Sequence, residues 1–201
     1  LIFREVSTPS KNLKLQGLAK FLLKTLVNWT YPMAQQVVCV SKGGEADFRE
    51  YYGYKNNNLS TIYNPVLDDA YFEKLKMPVS HEFLNDDHKV ILAVGRLTEA
   101  KNFCFLIHSF KALHDQHADT RLIILGEGEL RSELEALIAQ LNLTDVVDLP
   151  GFDTNPYAYF KYASLFVLSS NWEGLPGVLI QALASKVKVT DISKTINCYF
   201  S

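Results

Sequence analysis

Apolar residues fall along this chain in two rhythms. In its first third, Leu1 to Val6, Gln36 to Val40 and Leu59 to Tyr63 are short apolar or β-branched runs, the last two closed by Ser41 and Asn64-Pro65, and they predict strands. Between them, Leu18, Phe21, Leu22, Thr25, Leu26 and Trp29 recur at helical spacing. They predict a helix over Lys14 to Trp29 with those residues as its buried stripe. A shorter helix is predicted over Glu45 to Tyr52, stopped by Gly53. From Leu67 to Asp87 the pattern turns irregular and polar around Pro78, which reads as a linker.

Beyond that segment, strands and helices alternate. Val90 to Val94, Leu122 to Leu125, Val146 to Leu149 and Leu165 to Leu168 are strand-like. Phe103, Leu106, Ile107, Phe110 and Leu113 mark one helix, and Leu130, Leu134, Leu137, Ile138 and Leu141 mark a second. Pro156 to Tyr162 is a short helix, and another runs from about Gly177 to Ala184. Such alternation predicts an α/β fold, a Rossmann-like parallel sheet with helices on both faces. Ligands on these sheets bind outside the carboxyl ends of the strands, which is where chemistry is sought.

Composition changes this picture little. The 201 residues are 48% hydrophobic and 21% charged with a net charge of −2, ordinary for a globular protein and no signature of nucleic-acid binding. Cys39, Cys104 and Cys198 lie too far apart for a zinc or disulfide framework. Sequons at Asn28, Asn58 and Asn142 are read as accidents of composition, because no signal peptide precedes them. No apolar run is long enough to cross a bilayer. The opening on Leu1, straight into a strand, reads as a fragment with its true start upstream. Lys11, Lys14, Lys20 and Lys24 make the first helix basic. A core helix with a solvated lysine face is the preferred reading, and contact with an anionic membrane surface through 14–29 is the alternative.

At the strand ends, Gly95-Arg96-Leu97 is followed by Lys101, just ahead of a helix beginning near Asn102. A helix N-terminus favours anions, and an Arg fork with a Lys point charge beside it suits a diphosphate. Alone, two loop cations read more often as solvated surface. Ser169-Ser-Asn-Trp-Glu-Gly-Leu-Pro-Gly177 also opens a helix. Gly174 and Gly177 allow close backbone approach, the free amides of Leu175, Gly177 and Val178 are candidates to point at phosphate or sugar oxygens, and Glu173 is an acid placed for sugar hydroxyls. An exposed helix-opening turn explains the same residues. Phe152 borders a nucleotide base or packs in the core. Gly126-Glu127-Gly128 lacks the third glycine of a dinucleotide fingerprint, since Arg131 stands there, and reads as a tight turn. His114 and His117 have no third metal ligand, and no Ser/His/Asp or Cys/His arrangement occurs.

In order, Val90-Ile-Leu-Ala-Val-Gly-Arg-Leu97, Lys101-Asn-Phe103, Leu122-Ile-Ile-Leu-Gly-Glu-Gly128, Leu149-Pro-Gly-Phe152 and Ser169 through Ala184 resemble the donor-binding domain of glycosyltransferase family 4, retaining enzymes of the GT-B fold. The resemblance covers roughly residues 36 to 184. It implies residues 1–67 as the tail of an acceptor-binding domain, 68–87 as an interdomain linker, 88–184 as a truncated donor-binding domain and 185–201 as a divergent tail.

By position it also implies Arg96 and Lys101 on the donor diphosphate and Glu173 on the donor sugar, these three being the catalytic set. Gly95, Phe152, Gly174, Leu175, Gly177 and Val178 would line the donor. Gln181 would meet the ribose where the family usually has Glu. No metal or other cofactor is expected. The donor would be a nucleoside-diphosphate sugar, with uridine as the guess for its base. The acceptor would be a glycan or lipid-linked hydroxyl in polysaccharide assembly. The enzyme would be cytoplasmic, with peripheral contact at the inner face of the membrane as an option. A nucleotide-sugar epimerase and an inactive nucleotide-binding remnant are the alternatives.

Overall fold

A computed structural model describes residues 1–6, 8–13, 15–84 and 88–192. Lys14, the end of the expected linker (85–87), Cys198 and the expected tail from 193 onward lie outside them. The chain divides into two units: Leu1–Pro65 with Trp172–Pro176, and Val66–Asn171 with Gly177 through the last described residue, Ile192.

The first unit holds a three-stranded parallel sheet of β1 (Ile2–Glu5), β2 (Gln36–Cys39) and β3 (Leu59–Thr61), in that order. A one-turn helix α1 (Pro9–Asn12) leads into α2 (Gly17–Thr30). Helix α3 (Lys42–Tyr52) starts three residues before the expected Glu45. The Ser41 hydroxyl accepts from the Gly44 amide at 3.0 Å and caps the helix, so the glycine pair sits inside its first turn. Gly53 closes it in the left-handed conformation, φ +66°. Phe48, Tyr51, Tyr52 and Tyr54 pack with Val27, Val37, Cys39 and Leu59 into a core rich in aromatic rings. Asn58 is part of it: its amide donates to the carbonyls of Tyr31 and Ala34, and its oxygen accepts from the Tyr54 hydroxyl.

The stripe expected to bury α2 does not. Leu18, Phe21, Leu22, Thr25, Leu26 and Trp29 are exposed, while Val27 is buried and Leu23 packs beside it. The helix is apolar on two opposed faces, and periodicity marks the wider one. The narrow face is chosen by polar contacts that fix the roll of the helix. The Asn28 amide donates to the Tyr52 carbonyl at 2.8 Å, and the Lys20 ammonium lies 4.6 Å from the centre of the Tyr51 ring. Lys20 therefore lies toward the body of the unit, not on a solvated face opposite it.

The second unit is a five-stranded parallel sheet in the order β6-β5-β4-β7-β8: β4 (Lys89–Val94), β5 (Thr120–Leu125), β6 (Val147–Gly151), β7 (Leu165–Leu168) and β8 (Val189–Asp191). Helices α5 (Phe103–His114) and α6 (Arg131–Gln140) cover one face. They bury Leu106, Ile107, Phe110, Leu134 and Ile138 on Ile91, Ala93, Leu122 and Ile124. The other face, Val90, Leu92, Ile123, Leu125 and Phe166, packs on α7 (Tyr157–Phe160) and α8 (Gly177–Ser185). Strands buried on both faces read as continuous apolar runs, which is why they are plain in the sequence.

The expected linker and tail also carry regular elements. The described part of the linker is structured: α4 (Asp69–Leu75) is capped by Asp68, whose carboxylate accepts from the Tyr71 amide at 2.8 Å, and Tyr71 and Phe83 are buried. A seven-residue helix with one buried residue leaves no period to detect. Within the expected tail, β8 pairs in parallel with β7.

Candidate functional site

The carboxyl ends of β4, β5 and β6 enclose a cavity of about 400 Å³ lined by Val94, Gly95, Arg96, Leu125, Gly126, Glu127, Phe152, Asp153 and Pro156. Three turns build it. The first two meet with no room for side chains: a Cβ on Gly126, which has φ +142°, would stand 2.0 Å from the Gly95 carbonyl oxygen, and one on Gly128 would stand 2.4 Å from that of Leu97. Backbone bonds join them, Gly95 N to Leu125 O at 2.9 Å and Leu97 N to Glu127 O at 2.9 Å. Gly126-Glu127-Gly128 is thus the tight turn expected, and its glycines serve the fold of the cavity wall. The third turn, after β6, is tied to the second by Gly126 N donating to Gly151 O at 2.8 Å.

Arg96 is exposed on the cavity wall. Lys101 ends a 3-10 turn (Glu99–Lys101) directly before α5, followed by Asn102 in the left-handed conformation. Its aliphatic stem runs along the backbone of Gly95, 3.1 to 3.4 Å from where a Cβ would lie. The end of β7 holds this turn. The Ser169 hydroxyl donates to the Lys101 carbonyl at 2.7 Å, the Asn171 amide nitrogen to Ala100 O at 2.8 Å and the Asn171 side chain to Glu99 O at 2.9 Å. Ser169 is buried and polar, and this bond is the reason it can be. Arg96 on the cavity wall and Lys101 with its stem beside Gly95 thus both lie in the segment between β4 and α5.

Phe152 is 75% exposed and lines the cavity, which removes the core-packing explanation for it. Glu127 is held by Arg131 at 2.8 Å, and Arg131 also reaches Glu135 and the Leu149 carbonyl. The residue standing where a dinucleotide fingerprint has glycine is therefore a brace for the cavity wall. Asp153 lies close enough to Tyr159 to hold its hydroxyl up at about 12, after burial itself.

Glu173, Gly174 and Leu175 belong to the first unit. There the Thr8 hydroxyl donates to the Glu173 carbonyl at 3.3 Å, and a Cβ on Gly174 would fall 2.5 Å from the Val6 carbonyl oxygen. Gly174 is thus required by the chain's own backbone. Gly177, Val178 and Gln181 open α8 in the second unit. The Gln181 amide reaches Val66 O and the Tyr157 hydroxyl, each at 3.4 Å, and the Tyr71 hydroxyl donates to the Gln181 carbonyl at 2.5 Å.

Sequence reasoning missed Glu127, Asp153 and Pro156 in the cavity wall, and Ser169 and Asn171 as the anchors of Lys101. Their common signal is position at a strand end. His114, by contrast, bonds the Thr120 hydroxyl and stacks on Phe110, a structural role. No cluster of three or more metal-ligating side chains occurs among the described residues.

The chain matches the family described as Glycosyl transferases group 1 over residues 79–190. It is 35% identical over 189 residues, 94% of this chain and 50% of the relative, to the N-acetylgalactosamine-N,N'-diacetylbacillosaminyl-diphospho-undecaprenol 4-alpha-N-acetylgalactosaminyltransferase of Campylobacter jejuni. A mutant of S. aureus TarM solved with UDP superimposes with a TM-score of 0.74 at 20% identity, over 94% of this chain and 36% of that one. Anabaena HepE, solved with UDP and glucose, does so at 0.74 and 18% identity, over 94% and 52%. The chain spans about half the length of the curated relatives it matches. Its fold is that of the GT-B glycosyltransferases, and it belongs to the glycosyl transferases group 1 family.

Proposed function

We propose that the second unit binds the nucleoside-diphosphate part of a sugar donor in the cavity at the ends of β4, β5 and β6. The observation that carries this reading is the pairing of that cavity with Arg96 on its wall and Lys101 braced beside Gly95. A volume near 400 Å³ suits a base and ribose, with Phe152 offering a ring face to the base. Uridine is the base we favour, supported by the UDP complexes of TarM and HepE. Gln181 offers the ribose hydroxyls an uncharged partner in place of its present bonds. In the same unit, the amides of Gly177 and Val178 at the start of α8 receive phosphate oxygens; the first unit, which carries Glu173, Gly174 and Leu175, supplies the acceptor side.

The reaction in the whole protein is hexosyl transfer in the manner of family 4. The bond from the anomeric carbon to the diphosphate oxygen breaks, the acceptor hydroxyl oxygen bonds to the same carbon from the same face, and its proton passes to the departing diphosphate. Configuration is retained. Arg96 and Lys101 hold the charge that grows on the leaving oxygens, the work a metal ion does elsewhere. The acceptor class is a glycan or lipid-linked glycan, supported by the diphospho-undecaprenol substrate in the name of the Campylobacter relative.

Calorimetric titration tests this. UDP binds the chain more tightly than GDP does, and the Arg96→Ala/Lys101→Ala variant loses the heat of binding while its circular dichroism is unchanged. Equal binding of UDP by a folded double variant contradicts the assignment.

A further inference from the structure

Helix α1 is capped by a residue from another element. Thr8 stands at its N-cap position and Pro9 at the first helical one, the order of a turn that caps itself. Yet the Thr8 side chain makes no cap bond. The acceptor comes from α3: the Asp47 carboxylate accepts from the Ser10 amide at 3.0 Å and from the Ser10 hydroxyl. One turn further along α3, the Tyr51 hydroxyl donates to the Leu13 carbonyl at 3.1 Å, just past the other end of α1. Pro9 between them is buried. Both ends of α1 are therefore held by α3, and its first turn has no need of Thr8.

The Thr8 hydroxyl is spent elsewhere. It donates to the Glu173 carbonyl at 3.3 Å, a partner 165 residues away in sequence. The next residue, Gly174, is seated on the same segment: a Cβ there would lie 2.5 Å from the Val6 carbonyl oxygen and 3.7 Å from a Val40 methyl. All of these residues belong to the first unit. Two consecutive residues of the Glu173 loop thus rest on Val6 and Thr8, where the chain leaves β1 for α1. A carboxylate serves a reaction only where its backbone holds it, and a misplacement of about 1 Å can cost about a hundredfold in rate.

We propose that Thr8 is a positioning residue for the Glu173 loop, and that Asp47, by capping α1 in its stead, leaves the Thr8 hydroxyl available to that loop. Its effect on transfer rests on the proposed place of Glu173 on the acceptor side; the seating of the loop does not.

Trp172, beside Glu173, reads the loop. The chain has two tryptophans, and Trp29→Phe leaves Trp172 as the single fluorophore of its kind. In that background Thr8→Val, which keeps the shape and removes the donor, raises acrylamide quenching of Trp172 about twofold or more and shifts its emission. Thr8→Ser, which keeps the hydroxyl, matches the parent. Asp47→Ala acts like Thr8→Val, and the double variant is little worse than either, as for residues that act through one bond. Circular dichroism stays that of the parent, and UDP binds every variant alike because the cavity lies in the second unit. In a full-length enzyme Thr8→Val lowers kcat by about tenfold to a hundredfold, with KM for the nucleotide sugar within about twofold. Unchanged Trp172 signals in Thr8→Val overturn the proposal, and so does a Thr8→Ser variant that behaves like Thr8→Val. Fully additive effects of Thr8→Val and Asp47→Ala overturn the part assigned to Asp47. A parent chain that binds no UDP contradicts the donor-site reading instead and leaves the Trp172 result standing.

Discussion

Three glycines around the candidate site place different demands on their surroundings, and substitution separates them. Gly126→Ala forces a side chain into the Gly95 carbonyl at a backbone angle only glycine adopts readily. Its expected cost is about 3 kcal/mol or more, read as a large fall in melting temperature. Gly95→Ala meets only the flexible stem of Lys101. The fold should hold, with the melting temperature nearly unchanged, while Lys101 is displaced and UDP affinity drops. Gly177→Ala meets Val66 methyls at 3.6 Å or more and should leave stability within about 0.5 kcal/mol. In a full-length enzyme, Arg96→Ala should lower kcat/KM by about 10² to 10³, the scale of one electrostatic donor to a developing charge. A parent-like value would remove Arg96 from the reaction. Arg96, Lys101 and Phe152 were legible as candidates because strand ends are where parallel sheets bind. The role of Gly174 was not, because Val6, whose carbonyl fills its space, is distant in sequence and no local pattern joins the two.

Among the elements, the aromatic core around α3 and β2 sets a pH limit. Burial, then the charges of Glu45 and Glu5, push the Cys39 thiol up to about 12, and burial and Glu5 push Tyr52 to about 12 as well. Tyr31 is raised too, by burial and by its hydrogen bond to Glu5. Unfolded, a thiol ionises near 9 and a phenol near 10. Above pH 9 the unfolded chain therefore holds fewer protons than the folded one. Stability is full below that point and falls as pH rises from about 9 toward 12. Denaturant midpoints followed by near-ultraviolet circular dichroism should decline over that window, and Cys39→Val should soften the decline. Constant midpoints to about pH 11 would contradict the burial argument. The elements of the second unit were legible because strands buried on both faces make unbroken apolar runs. Helix α2 was half legible. Its period announced a helix, but a helix apolar on two faces does not say which one packs, and Asn28 and Tyr52 decided that. Helix α4 was hidden because its cap, not its period, defines it.

For the whole molecule, the fold and the family match give the glycosyltransferase scaffold, while the donor, its base and the acceptor rest on the cavity at the ends of β4, β5 and β6 and on the likeness to relatives about twice as long. The claim on which the account turns is one of location. Amide chemical-shift mapping of the labelled chain during addition of UDP tests it most directly. The account predicts shifts concentrated at Gly95 to Lys101, Gly126-Glu127 and Phe152-Asp153, saturating with ligand and absent from α2. Shifts centred instead on the lysine-lined groove of Lys76, Lys161, Lys186 and Lys188, at the opposite ends of the strands, or no shifts in a folded chain, would contradict it.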